Sequence, residues 1–269
     1  MSRPDTRTDP ALEARAVSTG YPGAPVIEGL DLAIARGTFT ALIGPNGCGK
    51  STLLRAIARL LPLADGAVLL DGRAIASQST KEVARQVGIL PQAPEAPEGL
   101  AVIDLVRQGR YPHRALFGRW SPADGAACEE ALALTGLETL RDRSLDSLSG
   151  GQKQRAWIAM TLAQKSATLL LDEPTTYLDL AHQLDVLDLL KSLVRERGAT
   201  VVAVLHDLNQ AARYADRIVM MKAGEIVAEG PPGTTVTPEA IGAVFGVDAK
   251  VVANPVDGTP LMIAVGRLP

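Results

Sequence analysis

The chain has 269 residues, 46% hydrophobic and 21% charged, with a formal net charge of -3. That length buries a full core in one or two domains, the composition is that of a soluble globular protein, and the slight acidity weighs against nucleic-acid binding as the main task. Two cysteines (Cys48, Cys128) and three histidines (His113, His182, His206) are spaced for neither a disulfide framework nor a metal site, so free thiols in a reducing cytoplasm are expected.

In chain order, residues 1–10 read as a loose polar tail without the apolar core of a signal peptide. No apolar run reaches the roughly 18 residues needed to span a bilayer, so a cytoplasmic protein is expected, with any membrane link running through a partner. Residues 12–41 suggest short strands interrupted at 21–25 and 36–37. Residues 38–43 form a compact apolar run ending in glycine, the pattern of a buried strand. A helix is expected over 51–61, stopped by Pro62, with further strands at 66–70 and 87–90. From 93 to 164 helical patterns dominate, best at 100–107, 123–134 and 150–163, which reads as a helical insertion. Strand and helix then alternate: strand 168–171, helix 180–197 closed by Gly198, strand 200–205, helix 208–214, strand 218–221. Such alternation implies an α/β fold with a largely parallel sheet covered on both faces. Beyond Pro231 the tail is rich in Pro and Gly, with room for a helix over 238–245 and a strand or two.

The most informative stretch is Gly44-Pro45-Asn46-Gly47-Cys48-Gly49-Lys50-Ser51-Thr52, set between a strand and a helix. It fits the phosphate-loop pattern. Glycines let backbone N–H groups close on phosphate oxygens, and the helix beginning near Lys50 points its N-terminal end at the same anion. Lys50 supplies charge between the β- and γ-phosphates of ATP, and the Ser51 hydroxyl is a Mg²⁺ ligand. Cys48 occupies a variable position, as a small spacer or a reactive thiol. A second apolar run carries Asp172 to the sheet edge, where a carboxylate can hold Mg²⁺ through its water shell. Glu173 follows at once and Pro174 helps end the strand, which leaves Glu173 placed to accept a proton from, or orient, an attacking water.

Between these motifs stands Leu148-Ser149-Gly150-Gly151-Gln152. With it the chain resembles the ATP-binding-cassette (ABC) ATPases over about residues 12–229. The resemblance implies the ABC ATPase fold: a mostly parallel, mixed sheet with the phosphate loop, an antiparallel β part and a helical subdomain. The division it implies is a nucleotide-binding core at 12–92 and 165–230, a helical signature subdomain at 93–164 and a C-terminal tail at 231–269. It also implies roles for single residues. Tyr21 stands where the family stacks an aromatic ring on adenine, with an ordinary loop tyrosine as the alternative. Gln92 matches a glutamine that touches the metal or water. Asp179 matches a loop crossing between two subunits, and His206 a histidine that contacts the γ-phosphate. Finer matches, Gly109-Arg110-Tyr111-Pro112-His113, Arg155-Ala156-Trp157-Ile158-Ala159-Met160 and Glu173-Pro174-Thr175-Thr176-Tyr177-Leu178-Asp179 followed by His182-Gln183, resemble bacterial ferric-siderophore importer ATPases. Haem and cobalamin importers are close relatives.

The mechanism implied is ATP hydrolysis by two copies facing head to tail, each ATP lying between the Lys50 loop of one and the Ser149–Gly151 segment of the other. Because that signature heads a helix, it makes a second anion site. The partners implied are integral-membrane permease subunits and, indirectly, a substrate-binding protein, with no nucleic acid. The location implied is peripheral, on the cytoplasmic face of the inner membrane. Residues 93–120, with Tyr111, Phe117 and Trp120, are the candidate docking surface, core packing being the alternative. A soluble ABC ATPase of DNA repair or translation would carry two cassettes or a coiled-coil insertion, and this chain has neither. A non-catalytic nucleotide-binding module is opposed by the intact Glu173 and His206.

Overall fold

The computed structural model describes residues 10–92, 94–114 and 119–268. The tail at 1–9, the first residue of the helical insertion (Ala93) and Phe117 lie outside the described residues. The chain opens with β1 (Leu12–Tyr21), β2 (Ala24–Ile34), β3 (Phe39–Ile43), α1 (Lys50–Ile57), β4 (Leu63–Leu70), β5 (Arg73–Ala74), α2 (Thr80–Gln86) and β6 (Val87–Leu90). The strands before residue 35 are long rather than short. With β4 and β5 they make an antiparallel sheet in the order β2-β1-β4-β5. Helix α1 ends at Ile57, earlier than the expected residue 61. Arg59 turns left-handed at φ 60, and its guanidinium donates to the carbonyls of Ile75 (3.3 Å) and Gln78 (2.6 Å), so the chain leaves the helix before Pro62 acts.

Next come α3 (Val102–Gln108), α4 (Pro122–Leu134) and α5 (Gly150–Ala163), all within the expected helical insertion. Arg110 and Asp124, both buried, fasten these helices together. Arg110 Nε meets Asp124 Oδ1 at 2.9 Å, and Arg110 Nη1 donates to the Ala163 carbonyl, the last residue of α5, at 2.8 Å. The Ser121 hydroxyl donates to Asp124 Oδ2 at 2.7 Å. That bond, together with Arg110 and against burial, holds the Asp124 carboxyl down at about 2.

The remainder is β7 (Thr168–Asp172), α6 (Leu180–Arg197), β8 (Thr200–Val204), α7 (Leu208–Tyr214), β9 (Arg217–Lys222), β10 (Glu225–Gly230), α8 (Pro232–Thr235), α9 (Pro238–Phe245), β11 (Val247–Ala253) and β12 (Pro260–Arg267). The central sheet has six strands in the order β10-β9-β3-β8-β7-β6, all parallel except β10. Strands β3, β7 and β8 are buried along their whole length, which is why they read as unbroken apolar runs. Successive side chains point to opposite faces. Phe39, Ala41, Leu169, Leu171, Val201 and Ala203 join the core beneath the helices, whereas Leu42, Leu170, Val202 and Val204 join a second core with α1 and the antiparallel sheet. Each fully buried large apolar side chain contributes about 1.5–3 kcal/mol, so the sheet edge is an anchored base for what projects from it. The segment after Pro231 packs onto this body: Ile241, Val244 and Ala249 belong to the helical-side core, and β11 and β12 form an antiparallel hairpin.

Candidate functional site

Strand register builds the site. Leu90 lies beside Leu171, and Val204 lies beside both Asp172 and Leu42. The loops leaving β3, β8, β7 and β6 therefore emerge side by side at the carboxyl edge of the sheet, where open α/β sheets bind ligands. They open a cleft of about 480 Å³ lined by Tyr21, Val26, Asn46, Gly47, Gly49, Lys50, Ser51, Thr52, Gln92, Glu173 and His206.

Two glycines are required by geometry. Gly49 precedes α1 at φ 105, a conformation side chains rarely adopt. A Cβ on Gly44 would lie 2.2 Å from the Met221 carbonyl oxygen. Helix α1 opens with no side-chain cap and no acidic residue in its first turn, which leaves its N-terminal end free for an anion. Lys50 is 5% exposed, and its Nζ donates to the carbonyls of Gly44 (2.7 Å) and Pro45 (3.0 Å). Gly44 and Pro45 thus sit behind the cleft wall and hold the lysine. Cys48 is buried in the core with Leu53 and Leu54, as a small spacer would be, and does not line the cleft.

Beneath the loop, the Ser51 hydroxyl donates to Asp172 Oδ1 at 2.8 Å. Asp172 is 1% exposed, and its Oδ2 is buried without a hydrogen-bond partner. Burial pushes its carboxyl above the ordinary range, against the pull of Ser51. A buried oxygen left unmatched costs about 1–3 kcal/mol, and an orphaned carboxylate oxygen beside a hydroxyl is a donor set that suits a hard divalent cation.

Glu173 ends the strand by its own backbone, at φ 55, in addition to the expected effect of Pro174. Its Oε1 accepts from Gln92 Nε2 at 2.8 Å, and its Oε2 accepts from the Thr176 hydroxyl at 3.0 Å and lies 2.9 Å from His206 Nε2. Burial raises the Glu173 carboxyl, but His206, Thr176 and Gln92 together outweigh it and bring it below the ordinary range. The carboxylate is ionised at neutral pH, the form that can orient or deprotonate water.

Tyr21 lies exposed on the rim, its hydroxyl accepting from Arg55 at 3.2 Å. The signature residues and Asp179 do not line the cleft. Ser149 caps α5: its Oγ accepts from the Gln152 N–H at 3.3 Å, and the Ser149 N–H donates to Gln152 Oε1 at 3.1 Å. Ser149 and Gly150 are exposed, while Gly151 sits close against Leu178, with room for only a tight Cβ contact at 3.2 Å. Asp179 caps α6 and meets His182 Nδ1 at 2.6 Å, between the exposed Tyr177 (81%) and Leu180 (68%). His113 Nε2 packs against the Gln164 carbonyl at 2.7 Å. Two contributors carry no assigned role in the sequence analysis. Thr176 stands there only as part of a motif match, and its contact with Glu173 follows from the turn. Gln154, which donates to the Pro174 carbonyl at 3.2 Å and so ties α5 to the Glu173 turn, carried no local signal.

Residues 27–176 match the ABC transporter family model. The ferric enterobactin transport ATP-binding protein FepC of Escherichia coli K12 is 51% identical over 256 residues, 95% of this chain and 94% of that protein. Among solved structures, an ABC transporter described as metal-chelate type, in an inward-facing conformation, superposes with a TM-score of 0.82 at 28% identity, covering 96% of this chain and 98% of that one. A dimeric bacterial ABC transporter cassette superposes with a TM-score of 0.74 at 29% identity over 82% and 98%.

Proposed function

Because the chain belongs to the ABC transporter ATP-binding family, we propose that it is the ATP-hydrolysing subunit of a ferric-siderophore importer, working as a head-to-tail pair beneath a membrane permease. The observation that carries this reading is the single cleft shared by Lys50, Ser51, Gln92, Glu173 and His206 over a buried Asp172 with an unmatched oxygen. The cargo class rests on the relative's ferric enterobactin and on the metal-chelate type of the superposed transporter.

In this reading the Asn46–Thr52 amides and Lys50 grip the β- and γ-phosphates, and Lys50 exchanges its loop carbonyls for phosphate oxygens. Ser51, Asp172 and Gln92 would hold Mg²⁺, which when bound neutralises phosphate charge. Glu173, ionised and fixed by three side chains, orients the attacking water and takes its proton, while His206 steadies the γ-phosphate. Tyr21 offers its ring to adenine. Ser149, Gly150 and Gly151 close on the nucleotide of a second copy, and Asp179 with the exposed Tyr177 and Leu180 supplies the rest of that contact.

The permease would dock on the helical part. Tyr111 (63% exposed) and Trp120 (39%) border an open groove of about 520 Å³ with Leu100, Asp104, Arg107 and Arg114, which favours docking over core packing. The Arg107 and Arg114 guanidinium carbons lie 5.5 and 5.7 Å from the Trp120 ring centroid. No helix among the described residues is long and apolar enough to cross a membrane.

The test is Glu173→Gln, followed by phosphate release and light scattering. The variant is expected to retain ATP, to lose about 100-fold or more in turnover, and to accumulate as a dimer. Near-normal turnover would remove Glu173 from its role, and an ATP-loaded monomer would sink the two-copy site.

A further inference from the structure

One side chain, Asn209 of α7, hydrogen-bonds to the backbone of strand β12, whose Met262 also packs against the core. At Met262, opposite Val251 in the hairpin, both backbone polar groups are taken by Asn209. The Met262 N–H donates to Asn209 Oδ1 at 2.7 Å, and Asn209 Nδ2 donates to the Met262 carbonyl at 3.1 Å. A side-chain amide thus stands where a neighbouring strand would, covering this part of the hairpin edge.

Asn209 lies in the first turn of α7, directly downstream of His206. Its own N–H donates to Asp207 Oδ1 at 2.7 Å, and the same oxygen accepts from the Gln210 N–H at 3.0 Å. Asp207 is therefore both the cap of α7 and the residue next to His206. The His206 side chain is 46% exposed. It borders the nucleotide cleft on one side, and on the other an apolar cleft of about 490 Å³ between α7, α9 and the hairpin, walled by Leu208, Ile241, Phe245 and Met262. Apart from its contact with Glu173 at 2.9 Å the imidazole faces open clefts, so its place depends also on its backbone, which is held by the turn that Asn209 ties to β12.

We propose that Asn209 is a positioning residue for His206: by clamping the first turn of α7 to Met262, it holds the imidazole against Glu173 and the γ-phosphate. This gives the hairpin after residue 246 a part in turnover without touching nucleotide. The inference rests on the role assigned to His206 above.

The experiment is single-turnover and steady-state ATP hydrolysis by the full chain, comparing wild type, Asn209→Ala, Asn209→Asp, His206→Ala and His206→Ala/Asn209→Ala. A misplacement of about 1 Å can cost up to 100-fold, so Asn209→Ala is expected to lower kcat roughly tenfold and leave KM for ATP within about twofold. Asn209→Asp, the same shape with the acceptor kept and the donor lost, is expected to fall between and guards against a folding failure of the alanine variant. In the His206→Ala background, Asn209→Ala is expected to change nothing further, because its route has gone. Unchanged kcat in both Asn209 variants, or a further tenfold loss on top of His206→Ala, would overturn the proposal. Wild-type turnover in His206→Ala alone would instead remove the role of His206 itself, and the clamp with it.

Discussion

The phosphate-loop half of the proposed site and its proposed signature half are built in opposite ways. Around Lys50 nearly every group has an internal partner: the ammonium has two carbonyls, Ser51 has Asp172, and Glu173 has Gln92, Thr176 and His206. Around Ser149 and Asp179 the partners are local caps, and Gly150, Tyr177 and Leu180 stand in solvent. The contrast separates two tasks. Chemistry needs groups held in advance, which a sheet edge with cores on both faces supplies. Exchange of nucleotide for product needs a wall that can leave, which in the proposed two-copy arrangement an exposed helix end on the second copy would supply.

Substitutions in the two halves should therefore fail differently. The largest effect is expected from Lys50→Ala, which removes the only lysine among the described residues lining the cleft and should weaken ATP binding by about 1,000-fold, roughly 4 kcal/mol, in a calorimetric titration. Unchanged affinity would break the assignment of the first half. Next is Arg110→Ala, which leaves Asp124 buried without its guanidinium and should cost about 3 kcal/mol in urea unfolding. An apolar pair at both positions should lose much less, because the penalty lies in the stranded charge. Ser149→Ala should lower turnover roughly tenfold while a single copy binds ATP as before, with about 1 kcal/mol of helix stability lost with the cap. A fall in monomer affinity would erase the distinction between the halves. The smallest effect is acid sensitivity. The folded Asp124 carboxyl sits at about 2, below its ordinary 3.8, so its contribution is present above 3.8 and is lost as pH falls through about 2. Acid unfolding of Asp124→Asn should lack that component.

Much of the fold was legible because burial on both faces writes strands as apolar runs and helices as periodic ones. Helices α5, α6, α7 and α9 begin and end where caps and periodicity place them. Helix α2 went unread although Ser79 and Glu82 form a capping box, because its short, mostly exposed face carries little apolar period. Strand β10 was missed for a related reason: it is a half-exposed edge strand after the left-handed turn at Ala223 and Gly224.

By itself the sequence determined the glycine-lysine stretch at 44–52, the adjacent carboxylates Asp172 and Glu173, the stretch at 148–152 and the run of helical patterns between 93 and 164, since each is a matter of residue type at short spacing. Only the tertiary structure decided that β8 lies between β3 and β7, which sets His206 beside Glu173. It likewise decided that Asp172 keeps an unmatched oxygen under Ser51, and that Asn209 reaches Met262 across the C-terminal hairpin. Those neighbours are remote in the chain, and their meeting depends on strand order, register and packing, which no local pattern encodes.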